Sequence, residues 1–378
     1  MNTINPPAAS DPVTEAAVLD ALRTVPDPDL HRDLVSLGMI KNIKICEGVV
    51  AFTVELTTPA CPLKAKIEAD CREAVGKIPG VTQINLSMSA NVQGRRPAGG
   101  TGPLAPGVKH VIAVGSGKGG VGKSTVAANI AVALAETGAT VGLMDADVYG
   151  PTIPILFGLE DHQLEQVNVR LPGGDMGAKI VPARRHGVSC VSMGFMVEPG
   201  QPIVWRGPML AKVVNQFLGD VLWGELDYLL VDLPPGTGDV SMSLAQMIPL
   251  SGAVIVMTPQ DVAASIAVKS VRMFQKLDVP ILGIVENMSY FIAPDTGTAY
   301  HIFGRGGGQE AAEELRVPFL GEIPLEIATR EGGDEGEPVI IAHPQSAQAE
   351  IFREVAKRLA ARISIQTRSF QPLNVIAG

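Results

Sequence analysis

One segment constrains the fold of this chain more than any other: GSGKGGVGKST, Gly115 to Thr125. It carries the pattern G-x-x-x-x-G-K-[ST] in Gly117, Gly122, Lys123 and Ser124. The apolar run HVIAVG leads into it, and the helical stretch KSTVAANIAVALAETG leaves it, with a glycine where a C-terminal cap falls. A strand, a glycine loop and a helix in that order make a phosphate-binding loop. Its glycines let successive backbone N–H groups turn toward an anion, and the helix N-terminus adds partial positive charge. The loop residues Gly117, Lys118, Gly119, Gly120, Val121, Gly122, Lys123, Ser124 and Thr125 are therefore expected to hold the phosphates of a nucleotide. Lys123 should reach the β- and γ-phosphates, Ser124 should ligate Mg²⁺, and Thr125 should bond the α-phosphate. Lys118 is one cation more than the pattern requires.

The chain around this loop has two textures. From Val13 to about residue 90 the pattern reads helix, strand, strand, helix, strand. Val50, Phe52, Val54 and Leu56 alternate with polar neighbours, as do Ile84, Leu86 and Met88. Strands with one apolar face beside two helices predict a small α+β layer over residues 13–90, after a disordered tail at 1–12. Residues 91–107, NVQGRRPAGGTGPLAPG, are rich in Gly and Pro without apolar period and read as a linker. Beyond them, HVIAVG, TVGLMD, DYLLVDL, AVIVMT and ILGIVEN are continuous apolar runs, the signature of parallel strands covered on both faces. The expected fold is a doubly wound, mostly parallel α/β sheet over 108–363, closed by an amphipathic helix at about 345–363, with a loose tail at 364–378.

In such a sheet, the acids that serve a nucleotide stand at the carboxyl ends of strands. LMDADVYGP offers Asp145 and Asp147, and LLVDLPPGTGD offers Asp232 and Asp239. Asp232, after an apolar run, resembles a Walker-B acid that holds Mg²⁺ through water, and Asp147 is the residue assigned to orient or activate the attacking water. A helix cap or turn is the alternative for each.

Composition narrows the partners. A formal net charge of −9 disfavours a nucleic-acid footprint, and no apolar run is long enough for a membrane-spanning helix. With no leader-like N-terminus and four scattered cysteines, Cys46, Cys61, Cys71 and Cys190, a reducing, cytoplasmic setting is expected.

The motifs GKGGVGKS, DADVYGP, WRGPM, DYLLVDLPPGTGD and ENMSYF together resemble the Mrp/NBP35/ApbC iron–sulfur cluster carriers, in the MinD/Mrp branch of P-loop ATPases with a deviant Walker A motif. DPDL, DLVSLGMI and TTPACPLK resemble the MIP18-type domain often fused to them. The resemblance implies an ATP-hydrolysing homodimer that sandwiches two nucleotides and passes Fe–S clusters to apoproteins alongside cluster assembly factors. It also implies that Lys118 reaches the phosphates bound by the other subunit, that Asn287 reads adenine, and that residues 145–151 and 232–239 are switches sensing the γ-phosphate. Trp205, Arg206 and Pro208 match the pattern without a chemical role and read as structure.

The cargo site departs from the family. Carriers of this kind often place a C-x-x-C pair after the adenine-reading asparagine, and here Ala293 and Thr296 hold those positions. Cys71 sits on the apolar stripe Leu63, Ile67, Cys71, Ala74 and Ile78, while Cys46 and Cys190 read as strand residues. Cys61 precedes Pro62 and is expected at the cap of the helix PLKAKIEADCREAV, where the dipole with Lys64 and Lys66 would favour thiolate. It is the candidate Fe–S ligand, although one thiol per chain needs outside thiols to complete a four-thiolate site. Asp27, Asp29 and His31 are its candidate neighbours, with a solvated turn as the alternative. Against the carrier stand a MinD/ParA-type positioning switch, which needs a membrane helix or a basic surface, and an electron donor resembling the nitrogenase iron protein, which needs cysteines near the dimer axis.

Overall fold

The computed structural model describes residues 13–94, 105–170, 175–196 and 207–369. Among these, 13–92 and 364–369 belong to one compact unit, and 93–94 and 105–363 to the other. The division at residues 92 and 93 falls inside the Gly- and Pro-rich segment. Expectations for residues 1–12, for most of that segment, and for Trp205 and Arg206 lie outside the described residues.

The first unit runs α1 (Glu15–Leu22), β1 (Pro26–Asp27), β2 (Arg32–Asp33), β3 (Ile40–Cys46), β4 (Val49–Leu56), α2 (Lys64–Gly76) and β5 (Gln83–Ala90). β3 and β4 form an antiparallel pair, and α2 carries the chain over to β5, parallel to β4. The alternation in β4 has the expected outcome: Val50, Phe52, Val54 and Leu56 are buried, packed with Val18, Leu22, Ile67, Cys71 and Val75 of the two helices.

The second unit runs β6 (Val108–Ser116), α3 (Lys123–Glu136), β7 (Val141–Asp145), α4 (Ile153–Leu156), β8 (Glu165–Arg170), β9 (Met176–Val181), β10 (Ala183–Arg185), β11 (Val188–Ser192), α5 (Gly207–Gly219), β12 (Leu226–Asp232), α6 (Asp239–Met247), β13 (Gly252–Met257) and α7 (Asp261–Lys276). It continues with β14 (Ile281–Ile292), β15 (Ala299–Tyr300), α8 (Gly307–Leu315), β16 (Phe319–Leu325), α9 (Ile327–Asp334), α10 (Val339–Ala342) and α11 (Ala347–Ser369). The parallel order is β11, β7, β12, β6, β13, β14, β16, with β10 antiparallel at one edge and β15 antiparallel on the end of β14. The central strand β6 feeds the phosphate loop, and β7 and β12 end in the predicted acids.

α3 is apolar on every side, and Val126 to Leu134 are all buried. Its alanines let the helix lie close to the sheet, and Asn129, the polar exception, donates to Thr125 O at 2.9 Å. Gly138 closes it at φ +92°, the left-handed geometry that the sequence pattern anticipates at a helix end. α11 does not stop near Ile363. It continues through ISIQTRS to Ser369, because those residues contain neither Gly nor Pro to end it, which corrects the loose tail expected from 364.

Candidate nucleotide site

The phosphate loop closes around a cavity of about 280 Å³ lined by Ser116, Lys118 to Thr125, Asp147, Gly150, Thr152 and Pro235. Two glycines are irreplaceable for steric reasons. A Cβ on Gly117 would stand 2.9 Å from the backbone of Ile266 on α7, and one on Gly122, at φ +77°, would stand 2.3 Å from Nδ2 of Asn287.

Lys123 lies at the floor, 6% exposed. Its ammonium donates to Asp232 Oδ1 at 2.6 Å and Ser124 Oγ at 3.2 Å, and stands 3.7 Å from Asp147 Oδ2. Ser124 Oγ donates to the other oxygen of Asp232 at 2.5 Å. The structure thus brings together Lys123, Ser124, Asp147 and Asp232, four of the residues expected to act on phosphate and metal.

Asp145 pairs with Asp232 across β7 and β12 and is fully buried. It accepts from Ser192 Oγ at 2.9 Å, Asp147 N at 3.1 Å and Ile153 N at 3.2 Å, so it fastens the loop that carries Asp147. Burial, with the charge of Asp232 beside it, pushes its carboxyl up to about 7. Burial also raises Asp232, against the pull of Lys123 and Ser124. Asp232, Asp147 and the Ser124 hydroxyl gather oxygen atoms around the single buried ammonium of Lys123, donors of the kind a divalent cation takes. Ala146 N donates to Asp232 O at 2.9 Å, which ties the two predicted switch segments together. Asp239, by contrast, is exposed in the first turn of α6 and does not line the cavity.

Lys118 also lines the cavity, and its ammonium donates to Gln260 Oε1 at 2.8 Å. Asn287 lies on β14 behind the loop. Its Nδ2 donates to Val121 O at 2.9 Å, so the side chain braces the glycine loop. It also lines a second cavity of about 330 Å³ with Thr125, Glu326, Thr329, Arg330 and Gln348, and the two cavities share Gly122 and Thr125.

A family model described as NUBPL iron-transfer P-loop NTPase matches residues 107–360. The chain belongs to that family. A second model, described as iron-sulfur cluster assembly protein, matches residues 15–86 of this NUBPL-type NTPase. An iron-sulfur cluster carrier protein of Deinococcus radiodurans is 52% identical to it over 356 residues, covering 94% of this chain and 97% of its own. The carrier protein of a Synechocystis strain is 49% identical over 354 residues, with 93% and 99% covered. Among solved structures, a nucleotide-binding protein from Archaeoglobus fulgidus in complex with ADP aligns at TM-score 0.55 and 38% identity, over 66% of this chain and 94% of that one. The P-loop NTPase fold and the mostly parallel sheet expected from the sequence are thereby established.

The cysteines of this NUBPL-type NTPase offer less than the sequence suggested. Among the described residues, no group of three or more His, Cys, Asp or Glu is placed to hold a metal ion. α2 starts at Lys64 with Leu63 as its cap, so Cys61 is not the cap residue; its carbonyl accepts Lys64 N at 3.3 Å in the turn before the helix. Nor is its thiol favoured as thiolate. Burial raises it and Asp29 and Asp27 add to the rise, against the Leu63 backbone N–H and, more weakly, Lys64. The pairing with Asp27 and Asp29 is real in space, yet Asp27 is buried rather than solvated, with Oδ1 accepting Asp29 N and Leu30 N at 2.9 Å. Cys71 is pushed up to about 12 by burial, and Cys190 is raised for the same reason. Ala293 and Thr296 sit on the hairpin between β14 and β15, where Ala293 N bonds Thr298 O at 3.0 Å.

Sequence reasoning missed Gln260, Ser192, Thr152 and the wall of the second cavity. The signal for that wall was present in PLEIATREGG, polar residues at the carboxyl end of an apolar run, but FLGEIPL was not read as a strand.

Proposed function

We propose that this chain is an iron–sulfur cluster carrier that binds and hydrolyses ATP and delivers clusters to apoproteins in the cytoplasm, together with cluster assembly factors. The observation that carries the reading is the buried Lys123, Ser124 and Asp232 cluster under a glycine loop, in a chain whose full-length relatives are named as carriers. Backbone N–H groups of Gly117 to Gly122 cradle the phosphates, and Lys123 neutralises them. Ser124 and, through water, Asp232 hold Mg²⁺, which supplies Lewis-acid stabilisation of phosphate charge when bound. The oxygen donors Ser124 Oγ and Asp232 fit that ion.

Asp147 orients the attacking water, held in place by Tyr149 N and Gly150 N on its Oδ1 at 3.2 and 3.3 Å. The nucleoside occupies the second cavity. One N–H of Asn287 Nδ2 bonds Val121 O, which leaves the amide oxygen and the second N–H, an acceptor and a donor, to read the edge of adenine. Lys118 exchanges Gln260 for the terminal phosphate of the partner subunit in an ATP-bound homodimer, where a second cation stabilises charge in the transition state.

The cluster is cargo. Cys61 supplies one thiol per chain and the remaining ligands come from outside the chain, so the cluster is held loosely enough to leave. Iron must displace a proton from Cys61, and the carboxylates of Asp27 and Asp29 that disfavour thiolate favour the metal cation. Iron and sulfide analysis of anaerobically reconstituted protein tests this, wild type beside Cys61→Ser. Both elements are expected in wild type and depleted in the variant. Wild-type protein that binds ADP yet retains neither iron nor sulfide would end the carrier reading.

A further inference from the structure

The two sides of α7 face different chemistry. On the inner side Ala267, Val271 and Phe274 are buried in the core of the second unit. That side also reaches the phosphate loop: a Cβ on Gly115 would stand 3.2 Å from Cε2 of Phe274, and Ile266 lies so close to Gly117 that no side chain fits there. The outer side carries Lys269, Arg272 and Lys276, all exposed. Spacings of three and four residues set these cations in one row, where like charges repel and weaken a helix. Other helices of the chain match their bases with acids at the same spacings. Arg72 meets Glu68 at 2.9 Å on α2, Arg330 meets Asp334 at 2.7 Å on α9, and Lys357 meets Glu354 at 2.6 Å on α11. On α7 no acid stands three or four residues from Lys269, Arg272 or Lys276, and none of the three forms an ion pair among the described residues. The adjoining α8 exposes Glu310, Glu313 and Glu314, and Asp278 is exposed just past α7, yet none of them closes on the row; Glu313 takes Gln309 Nε2 at 3.0 Å instead. The macrodipole favours Lys276 in the last turn and does little for Lys269 and Arg272.

In a chain of formal net charge −9, an unmatched row of cations on one helix is a local exception. We propose that the outer face of α7 docks the acidic face of a recipient apoprotein. The assignment rests on the carrier reading and adds where the recipient binds. Complementary charge selects an acidic partner and speeds its encounter, an effect that salt screens. A recipient on the outer face is one helix away from the phosphate loop, which α7 touches through Ile266 and Phe274.

Full-length Lys269→Glu/Arg272→Glu/Lys276→Glu protein is compared with wild type and with a control of equal charge, Lys41→Glu/Lys44→Glu/Lys212→Glu, whose sites are exposed on other elements. Each is titrated into a fluorescently labelled apo-ferredoxin of acidic surface, from low to high salt. Wild type and control should bind alike, and the α7 variant should bind about tenfold more weakly at low salt, with a flatter salt dependence. ADP affinity should be the same in all three. If charge reversal lowers ADP affinity, the neutral Lys269→Gln/Arg272→Gln/Lys276→Gln protein takes its place, with the same loss of ferredoxin binding expected. Equal ferredoxin binding by the α7 variant and wild type, or an equal loss in the control, would overturn the assignment. So would a loss on α7 reversal confined to binding of phosphatidylglycerol vesicles, of a DNA duplex or of a second copy of the chain. Each of these leaves the carrier reading standing, whereas wild-type protein that retains neither iron nor sulfide ends that reading and the docking claim with it.

Discussion

Replacing Lys123 with methionine keeps most of the side-chain volume and removes the one buried ammonium that faces Asp232 and Asp147. Asp232 is fully buried and would be left with the Ser124 hydroxyl, beside the buried carboxyls of Asp145 and Asp147. Removing one partner of a buried pair costs about 3–5 kcal/mol when the other stays charged. Asp232 can escape part of that cost by taking a proton. A carboxyl whose folded pKa is raised stabilises the fold below its unfolded pKa and loses that contribution as pH rises through the folded value. Burial already raises Asp232, and losing Lys123 removes the leading opposing influence. The destabilisation should therefore approach its full size at about pH 8 and shrink at about pH 5.5. Trp223 is buried in the second unit, so its fluorescence during urea unfolding reports that unit. Lys123→Met with Asp232→Asn should recover most of the loss, since no unpaired charge remains. A loss independent of pH, with a double variant equal to the sum of the single ones, would refute the argument.

Three further outcomes follow from particular contacts. Gly117→Ala should destabilise by about 1–3 kcal/mol in urea unfolding and abolish ADP binding, because its Cβ cannot clear the backbone of Ile266. The melting temperature of wild type should fall as pH rises through about 7, where Asp145 loses the proton that burial favours, and Asp145→Asn should flatten that dependence. Iodoacetamide should label exposed Cys46 first and half-buried Cys61 more slowly, with Cys71 and Cys190 modified only after unfolding, as mass spectrometry of timed samples would show.

The parallel strands and the phosphate loop are legible in the sequence because each leaves a local trace: an apolar run, a glycine spacing, an acid at the end of a run. Asp232 and Lys123 could be named in advance although they meet only in space, since the fold brings the ends of β6 and β12 together. What stays hidden depends on distant chain. Gln260 reaches Lys118 from the start of α7, Ser192 reaches Asp145 from β11, and Glu326, Thr329 and Gln348 form the second cavity from segments that follow β16. Cys61 was misplaced because Pro62 resembles a first helical residue, whereas the chain makes another turn and caps at Leu63. The departure at Ala293 and Thr296, read directly from sequence, places no sulfur on that hairpin.

Cluster transfer measures the proposed coupling between the nucleotide site and the cargo. Protein reconstituted anaerobically is mixed with an apo-ferredoxin, with and without MgATP, and holo-acceptor is followed by its visible circular dichroism. Transfer should occur, and MgATP should change its rate in wild type but not in Lys123→Met. Transfer that proceeds identically with and without nucleotide in both proteins would contradict that coupling.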